Sequence, residues 1–143
     1  MLRLTATYTD GSGLLRRALH ANAAFSLLTG LALLAGAGPV ADLLGLHPAI
    51  SMPVGAGLIV FALSVRAISL LRAIPDVLPV LVIAGDAAWV AGSIVVIALP
   101  GLGITIAGTL LIAVVAEIVG GFAIAQALAL RRKRRFAHAA ATG

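Results

Sequence analysis

The feature that most constrains this chain is a series of four long apolar segments. They cover about residues 18–38, 49–71, 77–99 and 102–130. Each has the roughly 20 residues that an α-helix needs to cross about 30 Å of hydrocarbon. A membrane β-barrel would instead need segments of about ten residues with alternating apolar and polar positions. The pattern predicts an all-α integral membrane protein with four transmembrane helices.

The overall composition supports a lipid environment. Hydrophobic residues make up 62% of the chain and charged residues 10%, whereas a soluble domain has about 25% charged residues. A water-soluble protein this apolar could not cover its core with polar surface. We therefore expect the lipid bilayer to be the main partner of the protein.

Proline residues mark the breaks between the apolar segments, because proline removes a hydrogen bond from a helix interior. A short apolar piece at 40–46 is too short to span and is predicted to be an interfacial turn of helix. The expected organisation is an N-terminal tail at 1–17, a transmembrane domain at 18–130 and a basic C-terminal tail at 131–143.

The basic residues predict the orientation of the helices. All ten lie before the first segment, at the end of the second or after the fourth, and the connections at 39–48 and 100–103 contain none. Basic residues favour the cytoplasmic side of a membrane. The distribution therefore predicts an antiparallel up-and-down bundle with both termini in the cytoplasm (N-in/C-in). An alternative is that Arg16, Arg17 and the apolar stretch after them form a cleavable signal peptide, which would leave three helices.

The net charge of +5 would suggest a nucleic-acid partner in a soluble protein. Here no folded domain remains outside the apolar segments, so we expect no nucleic-acid binding. The basic run after the fourth segment is predicted to anchor the topology and to contact anionic lipid, worth about 1 kcal/mol per residue. This run comprises Arg131, Arg132, Lys133, Arg134 and Arg135.

Ionisable residues within apolar segments are expensive in a bilayer and are therefore candidate functional groups. Asp86 and Glu117 lie near the middle of the third and fourth segments, which a short connection makes antiparallel neighbours. The two carboxylates are thus predicted to lie close together. Arg66 could either reach Asp86 or extend outward to the lipid headgroups.

Each predicted helix carries small or polar residues at helical spacing, which predicts that these faces meet inside the bundle. The sets are Asn22, Ser26 and Thr29; Ala62, Arg66 and Ser69; Asp86, Trp89 and Ser93; and Thr105, Thr109, Ala113, Glu117 and Gly120. The candidate intramembrane polar cluster comprises Asp86, Glu117, Arg66, Asn22, Ser26, Ser93 and Trp89. It could fix the helix register or exchange protons or a cation.

Several kinds of chemistry are not expected. The chain has no cysteine, which excludes disulfides, iron–sulfur clusters and cysteine-ligated zinc. His20 and His47 are predicted to lie near opposite membrane surfaces, so they cannot jointly hold a haem. Without a complete catalytic or metal motif, we expect no enzymatic activity, no metal and no cofactor. An intramembrane enzyme or a quinone-binding subunit is therefore disfavoured.

Two segments, Asn-Ala-Ala-Phe-Ser-Leu-Leu-Thr-Gly at 22–30 and Gly-Asp-Ala-Ala-Trp-Val-Ala-Gly-Ser at 85–93, carry a resemblance. They resemble uncharacterised small inner-membrane proteins of bacteria with four helices, which implies a location in the bacterial inner membrane. The small multidrug exporters are also similar in size and helix number. However, their essential glutamate lies in the first helix, where this chain has only His20 and Asn22, so their activity is not implied.

These observations predict a non-enzymatic accessory or structural subunit that packs against itself or against a larger membrane-protein partner. The alternative is a small transporter or channel that moves protons, a cation or a small amphiphile past Asp86 and Glu117.

Overall fold

A computed structural model describes residues 12–36, 38–45 and 48–142 of the chain. Within these ranges the protein is all-α and contains no strand. The helices are α1 (Ser12–Ala35), α2 (Pro39–Leu44), α3 (Pro48–Leu70), α4 (Val77–Ala98) and α5 (Ile106–Thr142). All but α2 are long and apolar enough to cross a membrane, as the sequence predicted. His47 and Arg3 lie outside the described residues.

The ends of the helices differ from the predicted segments mainly in α1 and α5. Helix α1 begins at Ser12, within the predicted N-terminal tail. Helix α5 begins at Ile106 and continues through the basic tail to Thr142. Its late start follows a turn in which Gly101 and Gly103 have φ of +88° and +70°. Its extension follows from the arginine, lysine and alanine residues of the tail, which are strong helix formers.

The short helix α2 packs against the beginning of α5. It ends at Leu44 and is capped by Gly45, which has a left-handed φ of +67°, a conformation that favours glycine. Thr105 donates its backbone N–H to the Leu44 carbonyl at 3.2 Å and its hydroxyl to the Leu43 carbonyl at 2.6 Å. The same hydroxyl accepts the N–H of Gly108 at 3.0 Å. We call this end of the bundle the α2 end.

The four long helices form a bundle with uneven contacts. Helix α1 packs extensively along α3 and also along α5, and α4 packs along α5. In contrast, α3 and α4 barely touch although they are consecutive. The start of α1 meets the end of α3, where Arg16 donates to the carbonyls of Ser69 and Arg72, each at 2.7 Å. A cation at this position compensates the unpaired carbonyls of a helix C-terminus.

The close packing of α1 on α3 depends on two glycines that face each other. A Cβ atom on Gly30 would lie 2.8 Å from the carbonyl oxygen of Gly55, and one on Gly55 would lie 3.0 Å from that of Gly30. Neither position has room for a side chain. Small residues allow the same close backbone approach between helices in membranes.

Basic residues from separate parts of the chain meet at the end of the bundle opposite α2. Arg16 binds carbonyls at the end of α3 and in the α3–α4 connection, as described above. From α5, Lys133 donates to the Ile74 carbonyl at 2.6 Å and to Asp76 Oδ1 at 2.8 Å, and Arg134 donates to Asp76 Oδ2 at 2.8 Å. We call this the basic end. The common location is consistent with an even number of membrane crossings, although which side it faces stays a prediction.

The buried apolar core is concentrated near the basic end. One cluster there joins residues from all four long helices and the α3–α4 connection. It consists of Leu15, Leu19, Ala23, Val65, Ile74, Val82, Ala129 and Leu130. Elsewhere the helices expose many leucine, isoleucine and valine side chains, which suits contact with lipid. The half of the bundle towards α2 is packed differently, as the cavities described below show.

Candidate functional site

Asp86 lies at the centre of the bundle, where the packed half ends. Only 2% of the Asp86 surface is exposed. The carboxylate oxygen Oδ2 accepts a hydrogen bond from Asn22 Nδ2 at 2.8 Å and another from Gln126 Nε2 at 3.1 Å. These bonds connect α4 to α1 and α5. One carboxylate thereby fixes the relative position of three helices.

The donors around Asp86 form a small buried network. Ser26, one turn after Asn22 on α1, donates its hydroxyl to Asn22 Oδ1 at 3.2 Å. Asn22 and Gln126 are fully buried, and Ser26 is nearly so. Gln126 Oε1 has no hydrogen-bond partner within the described ranges. We refer to Asn22, Ser26, Asp86 and Gln126 as the central polar network. It brings together three of the residues that the sequence indicated, together with Gln126.

The sequence interpretation did not include Gln126. A usable signal was present, because an amide within a long apolar segment requires a polar partner in a bilayer. Gln126 also lies two turns after Val119, which is buried on the same face of α5. The seven-residue spacing of Val119 and Gln126 therefore marks the inward face of α5. The stripe of small and polar residues that ends at Gly120 does not.

Trp89 and Ser93 share the face of α4 that carries Asp86, but they are not part of the central polar network. The Ser93 hydroxyl donates back to the Trp89 carbonyl at 2.9 Å. The Trp89 indole N–H has no partner in the described part of the chain. Both residues line a cavity on the α2 side of Asp86.

Arg66 lies at the basic end and does not contact Asp86. Its Nη1 donates to His20 Nε2 at 3.0 Å and to the Ser69 hydroxyl at 3.4 Å. His20 Nδ1 lies 2.9 Å from the Arg16 carbonyl. Since an arginine can only donate, the neutral His20 carries its proton on Nδ1. Arg66 therefore does not reach Asp86, and its predicted extension to the lipid headgroups stays a prediction.

Glu117 is exposed on the outer face of α5. Its neighbours Ala116 and Val119 are buried instead. The predicted approach of the Asp86 and Glu117 carboxylates therefore does not occur within the monomer. The physical reason is a rotation of α5, since its inward face follows the residues that pack at the core rather than the polar stripe expected from the sequence.

Two adjoining cavities occupy the half of the bundle towards α2. The first has a volume of about 270 Å³ and is lined by side chains of all four long helices, including Asp86. The second has a volume of about 330 Å³ and extends to Leu44 of α2. The cavities share Thr29, Val54, Trp89 and Val115, so they lie end to end. We call this part of the bundle the hollow half.

The described part of the site offers hydrogen-bonding groups and one carboxylate. Among the described residues, no group of three or more histidine, aspartate or glutamate side chains could hold a metal ion. The central polar network places one acidic group beside amide donors and an apolar cavity. The chain matches no protein-family model, and comparisons with curated proteins and with solved structures find no significant match.

Proposed function

We propose that this protein is a non-enzymatic accessory or structural subunit of the bacterial inner membrane, which acts by lateral association through α5. The observation that carries the proposal is the outward position of Glu117. In a membrane protein the outer face of a spanning helix meets either lipid or another protein.

The position of Glu117 along α5 makes contact with lipid unfavourable. It lies about 16 Å along the helix axis from Ile106, at a rise of about 1.5 Å per residue. That distance corresponds to the middle of a hydrocarbon layer about 30 Å thick. Acidic or basic side chains at the centre of a spanning helix cost about 2.5–3.5 kcal/mol on insertion scales. A hydrogen bond across a helix interface, worth about 0.6–1.7 kcal/mol, would offset part of this cost.

The residues around Glu117 are suited to such an interface. Gly121 and Ala125 follow at one-turn intervals and are exposed. A Cβ atom on Gly121 would have no neighbour within 4 Å, so this surface is open. Small residues at this spacing allow two helices to approach closely. We define Glu117, Gly121 and Ala125 as the outer α5 face.

The partner that this face fits best is a second copy of the chain. A two-fold contact places the same patch of both subunits together. Two carboxyl groups that face each other can share one proton in a hydrogen bond, as paired carboxylates do elsewhere. The outer α5 face is therefore self-complementary in shape and in hydrogen bonding.

The proposal is tested by measuring dimerisation in lipid bilayers, for example by energy transfer between labelled subunits. Glu117→Leu removes the carboxyl group and should weaken dimerisation about tenfold, which corresponds to about 1.4 kcal/mol. Leu81→Ala is a control, since Leu81 is also exposed but lies on α4. A monomeric wild-type protein, or a dimer unaffected by Glu117→Leu, would contradict the proposal. Co-purification with a different membrane protein in a fixed ratio would identify that protein, instead of a second copy of this chain, as the partner of the outer α5 face.

Transport is a second candidate function, favoured by the cavity that reaches Asp86. In this alternative a proton, a cation or a small amphiphile would pass the central polar network. Flux into liposomes should then be lost in Asp86→Asn, while Glu117→Gln should retain it because Glu117 lies outside the cavity. Equal flux in the Asp86→Asn variant and the wild-type protein would rule out this candidate.

A further inference from the structure

The carboxylate of Asp86 has no cationic partner among the residues that the structure describes. Both of its hydrogen-bond donors are neutral amides, from Asn22 and Gln126. Arg66, the basic residue that the sequence placed within possible reach of Asp86, is bound to His20 at the basic end. A buried carboxylate without a counter-charge is unfavourable, so the group must either take up a proton or be approached by a positive group.

Half of the aromatic residues of the chain line the cavity beside Asp86. The chain has four phenylalanines, one tryptophan and one tyrosine. Three of these six, Phe25, Phe61 and Trp89, line the same cavity as Asp86. Aromatic faces attract cations within about 6 Å, and aromatic walls are used to recognise quaternary ammonium groups. The combination of aromatic walls and one carboxylate therefore favours a cation with an apolar shell.

The same cavity is placed for entry from the side of the bundle. It lies between α3 and α4, which barely touch. On these two helices, Gly57 and Gly92 line the cavities, and both are exposed without any neighbour within 4 Å of a Cβ atom. Nearer the middle of the bundle, the Phe61 ring lies 3.1 Å from the Cβ position of Gly85. The gap is thus open beside the hollow half and closed at the level of Asp86.

We propose that the hollow half is a binding site for a monovalent lipophilic cation, of the quaternary ammonium or phosphonium class, which enters from the bilayer between α3 and α4. Its charge is balanced by Asp86, and its apolar groups contact Phe25, Phe61 and Trp89. This binding is independent of the association through Glu117, and it holds whether or not the cation crosses the membrane.

The test uses tetraphenylphosphonium and the full-length protein in nanodiscs of zwitterionic lipid. Trp89 is the single tryptophan of the chain and lines both cavities, so its fluorescence reports occupancy directly. We expect a saturable change with one binding site per chain. Triphenylphosphine oxide, a neutral molecule of related shape, should produce no saturable change.

Variants separate specific binding from partitioning into lipid. Asp86→Asn should weaken binding about tenfold or more, because it removes the compensating charge. Val115→Phe should also weaken it by narrowing both cavities, and it leaves the central polar network intact should Asp86→Asn fail to fold. Asp42→Asn is the matched control and should bind as the wild type does, because Asp42 is an exposed carboxylate of α2 that lines neither cavity. A non-saturable fluorescence change, or equal affinity in the wild type and in Val115→Phe, would overturn the proposal.

Discussion

Asn22 on α1 and Asp86 on α4 are joined by a hydrogen bond of 2.8 Å between Nδ2 and Oδ2, although α1 packs mainly on α3 and α5. It connects α1 to α4, which share few other contacts, and the bond from Gln126 adds to the packing of α4 along α5. Beyond this network, towards α2, the interior contains cavities instead of a close-packed core. The network therefore marks the boundary between two structurally different halves.

The first prediction concerns the energy of the Asn22–Asp86 hydrogen bond. A double-mutant cycle with Asn22→Ala and Asp86→Ala should give a coupling energy of about 0.6–1.7 kcal/mol, the range measured for such bonds between membrane helices. Unfolding in mixed detergent micelles provides the measurement. A cycle between Asn22→Ala and Ser93→Ala is the control and should be additive within about 0.5 kcal/mol. Equal coupling in both cycles would contradict a specific bond.

The second prediction concerns the contact between Gly30 and Gly55. Gly30→Ala should destabilise the protein by about 1–3 kcal/mol, because the new methyl group would overlap the Gly55 carbonyl and force α1 and α3 apart. Gly57→Ala on the same helix as Gly55 meets no neighbour. It should be neutral or stabilising by up to about 1 kcal/mol, the helix preference for alanine over glycine. Similar stability of both variants would argue against the close contact.

The third prediction concerns pH and the ion pairs at the basic end. The hydrogen bond from Lys133, followed by that from Arg134, lowers the pKa of Asp76 below its ordinary value of 3.8. A lowered pKa in the folded state means that the stabilisation is complete above pH 3.8 and is lost as the pH falls through the folded-state value. The effect should be small, because these pairs are partly exposed and exposed ion pairs contribute about 0.2–1 kcal/mol each.

Thermal unfolding of the wild type and Asp76→Asn at several pH values provides this measurement. The wild type should be more stable at neutral pH, and the difference should disappear in strong acid. A difference that persists unchanged in strong acid would show that Asp76 stabilises the connection by other means.

The fourth prediction separates two groups within the basic run. Lys133 and Arg134 are bound to Asp76, whereas Arg131, Arg132 and Arg135 are exposed and form no ion pair with a described residue. Replacing one of these three arginines by glutamine should reduce the preference of the membrane-embedded protein for anionic over zwitterionic lipid by about 1 kcal/mol. Lys133→Gln should reduce it less, since the lysine charge is already opposed by Asp76. Equal losses, measured as the enrichment of anionic lipid around the protein in mixed-lipid nanodiscs, would indicate that docking to Asp76 does not affect lipid contact.

The fifth prediction tests the N-in/C-in orientation. Because the chain contains no cysteine, single cysteines can be introduced without changing the background. In intact cells an impermeant maleimide should label Leu102→Cys, while Ala140→Cys should react only after permeabilisation. The cysteine-free wild type controls for non-specific labelling. The opposite pattern would place the basic end outside.

The sequence allowed the helices themselves to be predicted, because the length of an apolar segment and the position of a proline are local properties. The predicted segments at 49–71 and 77–99 differ from α3 and α4 by only one residue at their ends. The continuation of α5 through 131–142 was less evident, since a run of basic residues indicates a location outside the hydrocarbon and not a conformation.

The candidate site could be predicted only in part. Asn22, Ser26 and Asp86 do meet, because each is a polar residue in an apolar helix and needs a partner there. Glu117 shows the limit of this reasoning, since the same need can be met by a partner outside the monomer. Arg66 shows another limit, because a long side chain near a helix end can reach the surface instead of the core.

The sequence by itself determined that the chain forms four long apolar helices, since the energetics of one helix in lipid depend on its own residues. Only the tertiary structure decided which face of α5 turns inward, which amide binds Asp86 and which half of the bundle is hollow. These features depend on how the side chains of different helices fit together. Each long helix carries apolar residues on its outward face as well as on its inward face. The pattern of apolar residues along one helix therefore does not define which face turns towards the bundle.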